Sequence, residues 1–460
     1  MWRGPLMSSG NETRRNARPR LLVTAYNYDR AYSMESRLSF QRARLAAQQY
    51  DVTVICEKGE GPQQRSQTPG VQTIELPATR WERALMSWTA TYYLGYRRWH
   101  QRVYATARRL HSQQPFDLVH HVSFCGYREP SDCWQLPAPF VWGPVGGTRP
   151  FPMAFVAQLD LRGAAREVTR NVVNALQIRF DRRVRRAVGA AAAIMSANRE
   201  VAGDLERHFG APSTVQLETG VGQVRAAPRP QRAADQPLRI LWSGRLRSWK
   251  GFPLLLRALA QLPPDCRYEV RVLGQGPCRE RWARLAHRLG VARHIEWAGW
   301  PDYAGQLPHY DWADVFAFTS LRDTSGTGLL EALAAGAPII GLDHQGAADI
   351  MSADCAIPIS AKSAAAAIAG FRDAVARLAA DRQELSRLSD GALARARQFQ
   401  WDRQAETINA VYERAMARCA AAPLFRSASE GDASAPRAEE RRSGDRPAAC
   451  AAAPTGQAFC

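Results

Sequence analysis

Residues 315–342 read VFAFTSLRDTSGTGLLEALAAGAPIIGL. Val315 to Phe318 is a short apolar run, Gly328 to Ala335 reads as a helix, and Ile339 to Leu342 is a second apolar run. Strand, glycine-rich turn, helix and strand in that order are the repeating unit of a parallel α/β sheet. Upstream the scheme recurs at Leu238–Trp242, Tyr268–Leu273 and His294–Trp297, with helix-like stretches such as Phe252–Gln261 and Cys278–Leu289 between the runs. The first half has its own series: Arg20–Tyr26, Val52–Cys56, Leu118–Val122, Phe140–Trp142, Ala192–Ser196 and Val215–Leu217, with a helical pattern over Ser36–Gln49. Ala226–Pro237 lacks apolar periodicity and reads as a connection between the two series.

The expected fold class is therefore α/β, with two doubly wound Rossmann-like domains facing across a cleft. The expected organisation is an N-terminal extension over 1–19, a first domain over 20–228, a linker over 229–237 and a second domain over 238–419. The Ala-, Pro- and Ser-rich tail, 420–460, and the extension are expected to be disordered. Ligands in such sheets bind beyond the carboxyl ends of the strands.

The composition narrows the function. The chain has 460 residues, enough for two cores, and 46% of them are hydrophobic, which excludes a wholly disordered protein. No apolar run approaches the ~18 residues of a membrane span, and Met1–Pro19 lacks the apolar stretch of a secretory signal. Nine scattered cysteines form no Cys-x-x-Cys pair and suggest free thiols in a reducing compartment. A cytoplasmic location is expected, with peripheral attachment to the inner face of the inner membrane as its extension. The net charge is +18, and residues 1–236 carry 33 Lys and Arg against 19 Asp and Glu. The first half thus has the electrostatics to meet an anionic partner. No recognition helix, zinc spacing or RNP-like motif accompanies that charge, so nucleic acid is not the expected partner.

Two segments carry chemistry. Ser243-Gly244-Arg245-Leu246-Arg247-Ser248-Trp249-Lys250-Gly251 lies between a strand and a helix. Glycine turns and a helix start with Arg245 and Lys250 beside it suit an anionic diphosphate; a solvated turn with surface cations fits the spacing equally well. In the second segment Asp323 and Glu331 bracket a helix start at Ser325-Gly326-Thr327. Its amides suit an anion and its carboxylates suit vicinal hydroxyls, while a capping Asp323 or Ser325 and a helix-surface Glu331 are the bland alternative.

Taken together, "GRLRSWKG" and "SLRDTSGTGLLEALAAGAPII" resemble the family 4 (group 1) retaining glycosyltransferases of GT-B fold. "FDLVHHVSFCGYREP" and "FVWGPVGGT" are similar to the N-terminal domain of a bacterial subset, and "FQWDRQAETINAVYERAM" resembles the family's closing helices, which pack back toward the first domain. The resemblance runs from about residue 20 to 418. It implies that Gly244, Arg245 and Lys250 hold the diphosphate of a nucleotide-sugar donor, that Ser325, Gly326 and Thr327 present amides, and that Glu331 binds ribose. It puts Asp323 where the family's Glu-x7-Glu motif has its first glutamate. It also implies a histidine near the end of the fourth strand at the donor sugar, which makes His120 or His121 a catalytic candidate. Alternating side chains on a strand point the two in opposite directions, so at most one can face the cleft, and His120 is preferred. The family's first-loop Gly-Gly is replaced by Ser33-Met34-Glu35-Ser36, leaving Gly146 and Gly147 to supply a close approach to ligand.

The expected reaction is transfer of a hexose-type sugar, with retention, from a nucleotide sugar to a saccharide or polyprenyl-type lipid-linked acceptor in envelope polysaccharide or glycolipid synthesis. The nucleotide sugar is a substrate; no cofactor and no divalent metal are expected. A nucleotide-sugar epimerase or a non-catalytic sugar-nucleotide binder on the same fold are the alternatives. Two stretches fit the membrane expectation. Trp81, Leu85, Trp88, Tyr92, Tyr96, Trp99 and Val103 recur at helical spacing with arginines off the stripe, and Val168, Val172, Leu176, Phe180 and Val184 share a face beside Arg179, Arg182, Arg183, Arg185 and Arg186.

Overall fold

The structure is a computed structural model that describes residues 18–29, 34–58, 68–88, 91–122, 124, 126–230, 232–233 and 235–421. Seven parallel strands form the first sheet: β1 (Arg20–Thr24), β2 (Asp51–Cys56), β3 (Val71–Glu75), β4 (Leu118–His121), β5 (Phe140–Val145), β6 (Ala193–Ser196) and β7 (Thr214–Val215), in the order β3-β2-β1-β4-β5-β6-β7. Its helices are α1 (Met34–Ala46), α2 (Arg80–Met86), α3 (Tyr92–Gln113), α4 (Leu161–Phe180), α5 (Arg182–Ala190) and α6 (Arg199–Phe209). The second sheet comprises β8 (Leu238–Ser243), β9 (Tyr268–Leu273), β10 (Ile295–Gly299), β11 (Val315–Phe318), β12 (Ile339–Leu342) and β13 (Ala356–Ile359), ordered β10-β9-β8-β11-β12-β13. Around it lie α7 (Phe252–Leu259), α8 (Arg279–Arg288), α9 (Tyr303–Trp312), α10 (Thr327–Ala334), α11 (Gln345–Ile350), α12 (Ala364–Ala380) and α13 (Arg382–Arg397); α14 (Trp401–Ala421) ends the described chain. Both orders reverse direction beside the first strand, between β1 and β4 and between β8 and β11. That switch point is where an open α/β sheet leaves a crevice.

Burial on both faces explains the sequence of the central strands. Val315, Phe316, Ala317 and Phe318 are all buried, as a strand under helices on both sides must be. Two edge strands were not expected, β3 (VQTIE), which mixes polar with apolar residues, and β13 (AIPI), a short run interrupted by Pro358, and each ends its sheet. An edge strand is covered less, and Pro358 is tolerated there because one side of the strand needs no donor.

Two crossings join the domains. Val221 N–H donates to Phe399 O at 3.0 Å and Trp401 N–H to Val221 O at 3.1 Å, so the outgoing and returning chains run side by side. Arg229 and Arg232 lie along the second domain, where Arg229 Nη1 reaches Tyr310 O at 3.2 Å and Ala335 O at 3.1 Å and Arg232 Nη1 reaches Asp314 Oδ2 at 2.8 Å. α14 then returns, and Ile408, Val411, Tyr412 and Ala415 join the core built from Leu21, Val52, Leu118 and Val141. In the other direction, Phe151 and Phe155 of the first domain are built into the second domain's core with Trp242 and Phe252.

The two expected apolar stripes are each divided. Trp81 and Trp88 belong to α2 and the turn after it and are 78% and 73% exposed, whereas Tyr96, Trp99 and Val103 on α3 are buried. α2 ends at Met86 and α3 begins at Tyr92, so the pattern is shared between two helices, one with its aromatic residue exposed and one with its aromatic residues in the core. On α4, Val168, Val172, Leu176 and Phe180 face solvent, Phe180 with 70% of its surface, while Val184 on α5 is buried. Among the described residues no helix is long and apolar enough to cross a membrane. The extension and tail expected to be disordered lie outside the described residues apart from Arg18, Pro19 and the last turn of α14.

Candidate active site

The loops after β8 and β11, the two strands flanking the switch point, are stitched together. Thr319 Oγ1 donates to Lys250 O at 2.6 Å and accepts from Trp242 Nε1 at 2.9 Å, and Leu321 N–H reaches Trp249 O at 2.8 Å. Gly251 makes this approach attainable. Its φ is +64°, and a Cβ there would lie 2.2 Å from Thr319 O. The result brings Lys250 Nζ into an ion pair with Asp323 Oδ2, both side chains about four-fifths buried.

Asp323 is the hub of its loop. Its Oδ1 accepts from Gly326 N–H at 3.3 Å and its own N–H donates to Gln345 Oε1 at 3.0 Å. Burial raises its carboxyl pKa, but the Lys250 charge and hydrogen bond and the Gly326 amide outweigh that and hold it below the ordinary value. α10 starts at Thr327, one residue earlier than its periodicity suggested, with Gly326 at φ +58° as its N-cap and no side-chain cap on its first turn. Ser325 Oγ donates to Glu218 Oε2 at 2.7 Å, and Asn198 Nδ2 to Thr324 O at 2.9 Å, so this loop is also held by the first domain.

Glu331 is not a surface helix residue. Tyr310 Oη donates to its Oε2 at 2.8 Å, Arg37 of α1 stands 4.0 Å from Oε1, and burial pushes its pKa up against both. Arg37 also lies 3.6 Å from the Tyr303 ring centroid, so α1 reaches the second domain at this carboxylate. Tyr310 and Arg37 were not anticipated; they arrive from α9 and α1, and only the fold brings them together. Arg42, also on α1, is buried and donates through Nη2 to Leu217 O and Glu218 O, both at 2.9 Å. Desolvation lowers its pKa to about 10. Gly244 and Arg245 lie on the same loop as Lys250, with Arg245 exposed.

The two histidines are placed otherwise than expected. His120 is fully buried, with Nδ1 2.6 Å from Tyr412 Oη and Nε2 2.7 Å from Gly143 O. His121 points to the opposite side, with Nδ1 2.8 Å from Thr24 Oγ1 and Nε2 3.2 Å from Glu129 O, beneath the His100 ring. Both ring nitrogens of both residues are engaged inside the fold, and burial drives both pKa values to about 3. Neither reaches the cleft, because both lie within β4 rather than beyond it, where helices cover each face. One ties the sheet to α14 and the other ties it to α3. Ser123 and Cys125, which follow β4 in the sequence, and Ser33 of the first loop lie outside the described residues. Gly146 and Gly147 sit beyond the end of β5; Gly146 bridges Gly126, and a Cβ on Gly147 would lie 3.8 Å from Arg128 Nη1.

Among known proteins, residues 224–393 match the family Glycosyl transferases group 1. The D-inositol 3-phosphate glycosyltransferase of Streptomyces bingchenggensis is 31% identical over 259 residues, 50% of this chain and 54% of that protein. The lipopolysaccharide core biosynthesis glycosyltransferase LpsE of Rhizobium meliloti is 34% identical over 130 residues, 28% of this chain and 36% of that protein. The chain thus spans about a third to a half of the length of these relatives. Sucrose-phosphate synthase from Thermosynechococcus elongatus superposes with a TM-score of 0.61 at 18% identity, covering 87% of this chain and all of that one. The architecture is accordingly that of the two-domain GT-B glycosyltransferases.

Proposed function

We propose that the protein is a retaining glycosyltransferase that moves a hexose-type sugar from a nucleotide-sugar donor to a saccharide or lipid-linked acceptor. The observation that carries this reading is the joined pair of strand-end loops at the second sheet's switch point, which gathers Lys250, Asp323 and the first turn of α10 near Glu331. Arg245, Lys250 and the Ser325–Thr327 amides would stabilise the negative charge that grows on the departing diphosphate. Glu331, oriented by Tyr310 and Arg37, would accept hydrogen bonds from the ribose diol. Asp323 would meet the donor sugar, and diphosphate entry would draw Lys250 away from it. Cations and amides supply the charge stabilisation without calling on a divalent metal. Departure and attack on the same face of the sugar accounts for retention without a protein nucleophile.

The group 1 match and the envelope-polysaccharide relatives favour cell-envelope polysaccharide or glycolipid synthesis. The exposed stripe Val168, Val172, Leu176 and Phe180, with Arg179, Arg182, Arg185 and Arg186 beyond it, favours an acceptor presented at the cytoplasmic face of an anionic membrane. Sedimentation with anionic vesicles is expected at low salt and lost at high salt; no binding at low salt removes the membrane from the proposal. The donor reading is tested with a panel of UDP-, GDP- and ADP-sugars scored for saturable binding and slow hydrolysis. One donor should bind, and Lys250→Ala and Glu331→Ala should each abolish it. Binding of none, or binding indifferent to both substitutions, overturns the assignment.

A further inference from the structure

Beside the loop that carries Lys250, α4 contributes to a second concentration of positive charge. Glu167 on α4 is 1% exposed and pairs with Arg322, at 3.4 Å from Nε to Oε2. Arg322 is the residue immediately before Asp323, so its guanidinium leaves the donor loop toward the first domain. Arg322, Arg166 and Arg247 converge on the Trp249 indole, at 4.9, 5.1 and 5.7 Å from its ring centroid. Arg170, one turn along α4 from Arg166, has a buried Nη1 with no hydrogen-bond partner among the described residues. Arg128 is held by neutral groups, its Nε donating to Gln177 Oε1 at 2.7 Å and its Nη2 to Asn174 Oδ1. Its Nη1 faces the Gly146-Gly147 loop.

Arg128, Arg170 and Arg322 lie close enough to repel one another, with the buried Glu167 opposing Arg170 and Arg322, and such a cluster costs stability unless an anion completes it. Burial, and after it the charges of Arg322 and Arg128, push the Arg170 pKa down to about 9. Burial lowers Arg166 as well, with Glu167 opposing and Arg247 and Arg322 adding to the effect. A phosphate offers several acceptor oxygens and negative charge in the geometry that guanidinium forks match, and Trp249 keeps those forks stacked and oriented. The donor diphosphate would have its own cations at Arg245 and Lys250. We propose that Arg128, Arg170 and Arg322 form a separate subsite for a phosphate or diphosphate carried by the acceptor. The word acceptor rests on the glycosyltransferase reading; the anion site itself does not.

The test separates the two sites. Lys250→Ala removes the donor lysine and leaves the arginine cluster intact, so this variant should still bind inorganic pyrophosphate by calorimetry while failing to bind the nucleotide sugar. Adding Arg170→Gln or Arg128→Gln to it should weaken pyrophosphate by about tenfold or more, the worth of one charge-assisted hydrogen bond, and Arg170→Lys should recover part of it. Arg170→Gln in the wild-type background should leave the melting temperature unchanged or raised, because it removes a repelled charge. A lowered melting temperature with unaltered pyrophosphate affinity would identify a purely structural ion-pair network. Farnesyl diphosphate and glucose 1-phosphate complete the series: tighter binding of the first assigns the phosphate to a lipid, and of the second to a soluble sugar phosphate. If none of the three probes binds to Lys250→Ala, the subsite is overturned whatever the donor panel gives. If pyrophosphate binds there but no nucleotide sugar binds wild-type protein, the donor reading fails and the anion site stands.

Discussion

β4 and β11 occupy the same place in their respective sheets, each the neighbour of the first strand on the far side of the switch point. Both carry titratable residues at or shortly beyond their carboxyl ends, yet the two sets have opposite fates. His120 and His121 lie inside β4 and are sealed by α14 on one face and α3 on the other. Asp323 lies five residues beyond the last residue of β11, where the chain has left both helical layers, and its carboxylate meets Lys250 from the neighbouring loop. In a doubly wound sheet, a polar residue within a central strand is thus a structural group with its hydrogen bonds satisfied by the fold. A polar residue past the carboxyl end is available to a ligand.

Substitution at equivalent places should expose that difference most strongly. Lys250→Ala should reduce sugar transfer or donor hydrolysis by roughly two to three orders of magnitude, as expected for loss of a charge aimed at the leaving group, with little change in melting temperature. His120→Ala should do the reverse. It leaves Tyr412 Oη and Gly143 O buried without their partner and opens a cavity under α14, costing about 2–5 kcal/mol of stability. Turnover per folded molecule at low temperature should be close to that of the wild type. Loss of turnover in a fully folded His120→Ala protein would break the comparison and return the residue to the catalytic set.

The pH dependence of stability sharpens it further. With folded pKa values of about 3 against an unfolded value near 6.5, His120 and His121 stay neutral in the native state while the unfolded chain takes up protons. Stability is therefore undiminished above pH 6.5 and falls as pH drops from 6.5 toward 3, by about 2 kcal/mol for each histidine between pH 6.5 and 5. Asp323 adds a smaller loss at lower pH, because its depressed pKa means its contribution disappears as the carboxylate is protonated. Glu331, with a raised pKa, acts oppositely, losing stability as pH rises through its titration. Denaturant unfolding at pH 7 and pH 5 should show the acid loss, and His121→Gln should remove one histidine's share. An unchanged slope in that variant would mean the imidazole already carries its proton in the fold.

What could be read in advance follows the same division. The loops 243–251 and 320–331 are each a single local stretch, so their glycines, cations and carboxylates are adjacent in the chain, and the doubly wound class followed from the strands around them. β3 escaped because an edge strand needs no apolar run, and β13 because Pro358 interrupts its short apolar one. Tyr310 and Arg37 at Glu331, and Arg128 and Arg170 opposite Arg322, escaped for a different reason. Each pair joins elements distant in sequence, and no periodicity records which arginine of a basic half will face the cleft. The histidines misled because a motif near a strand end does not state on which side of that end its residues fall.

The smallest expected effect tests how much of the site depends on reach rather than charge. Asp323→Glu installs the carboxylate that the group 1 resemblance places at this position, one methylene longer. The Asp323 carboxylate is now fixed from two sides, by Lys250 and by Gly326 N–H, and the loop behind it is pinned by Gln345 and Asn198. A glutamate keeps the charge facing Lys250 but cannot keep the 3.3 Å bond to Gly326 without displacing its own backbone, so the cost is one neutral-donor hydrogen bond, about 1 kcal/mol. That corresponds to a few-fold change in donor KM with kcat nearly unchanged. A fall in kcat as large as that of Lys250→Ala would mean that the carboxylate's position on the sugar, and not its charge, limits the reaction, and that the shorter side chain is matched to this protein's own donor. A gain in kcat would mean that Asp323 trades catalytic reach for an ordered loop.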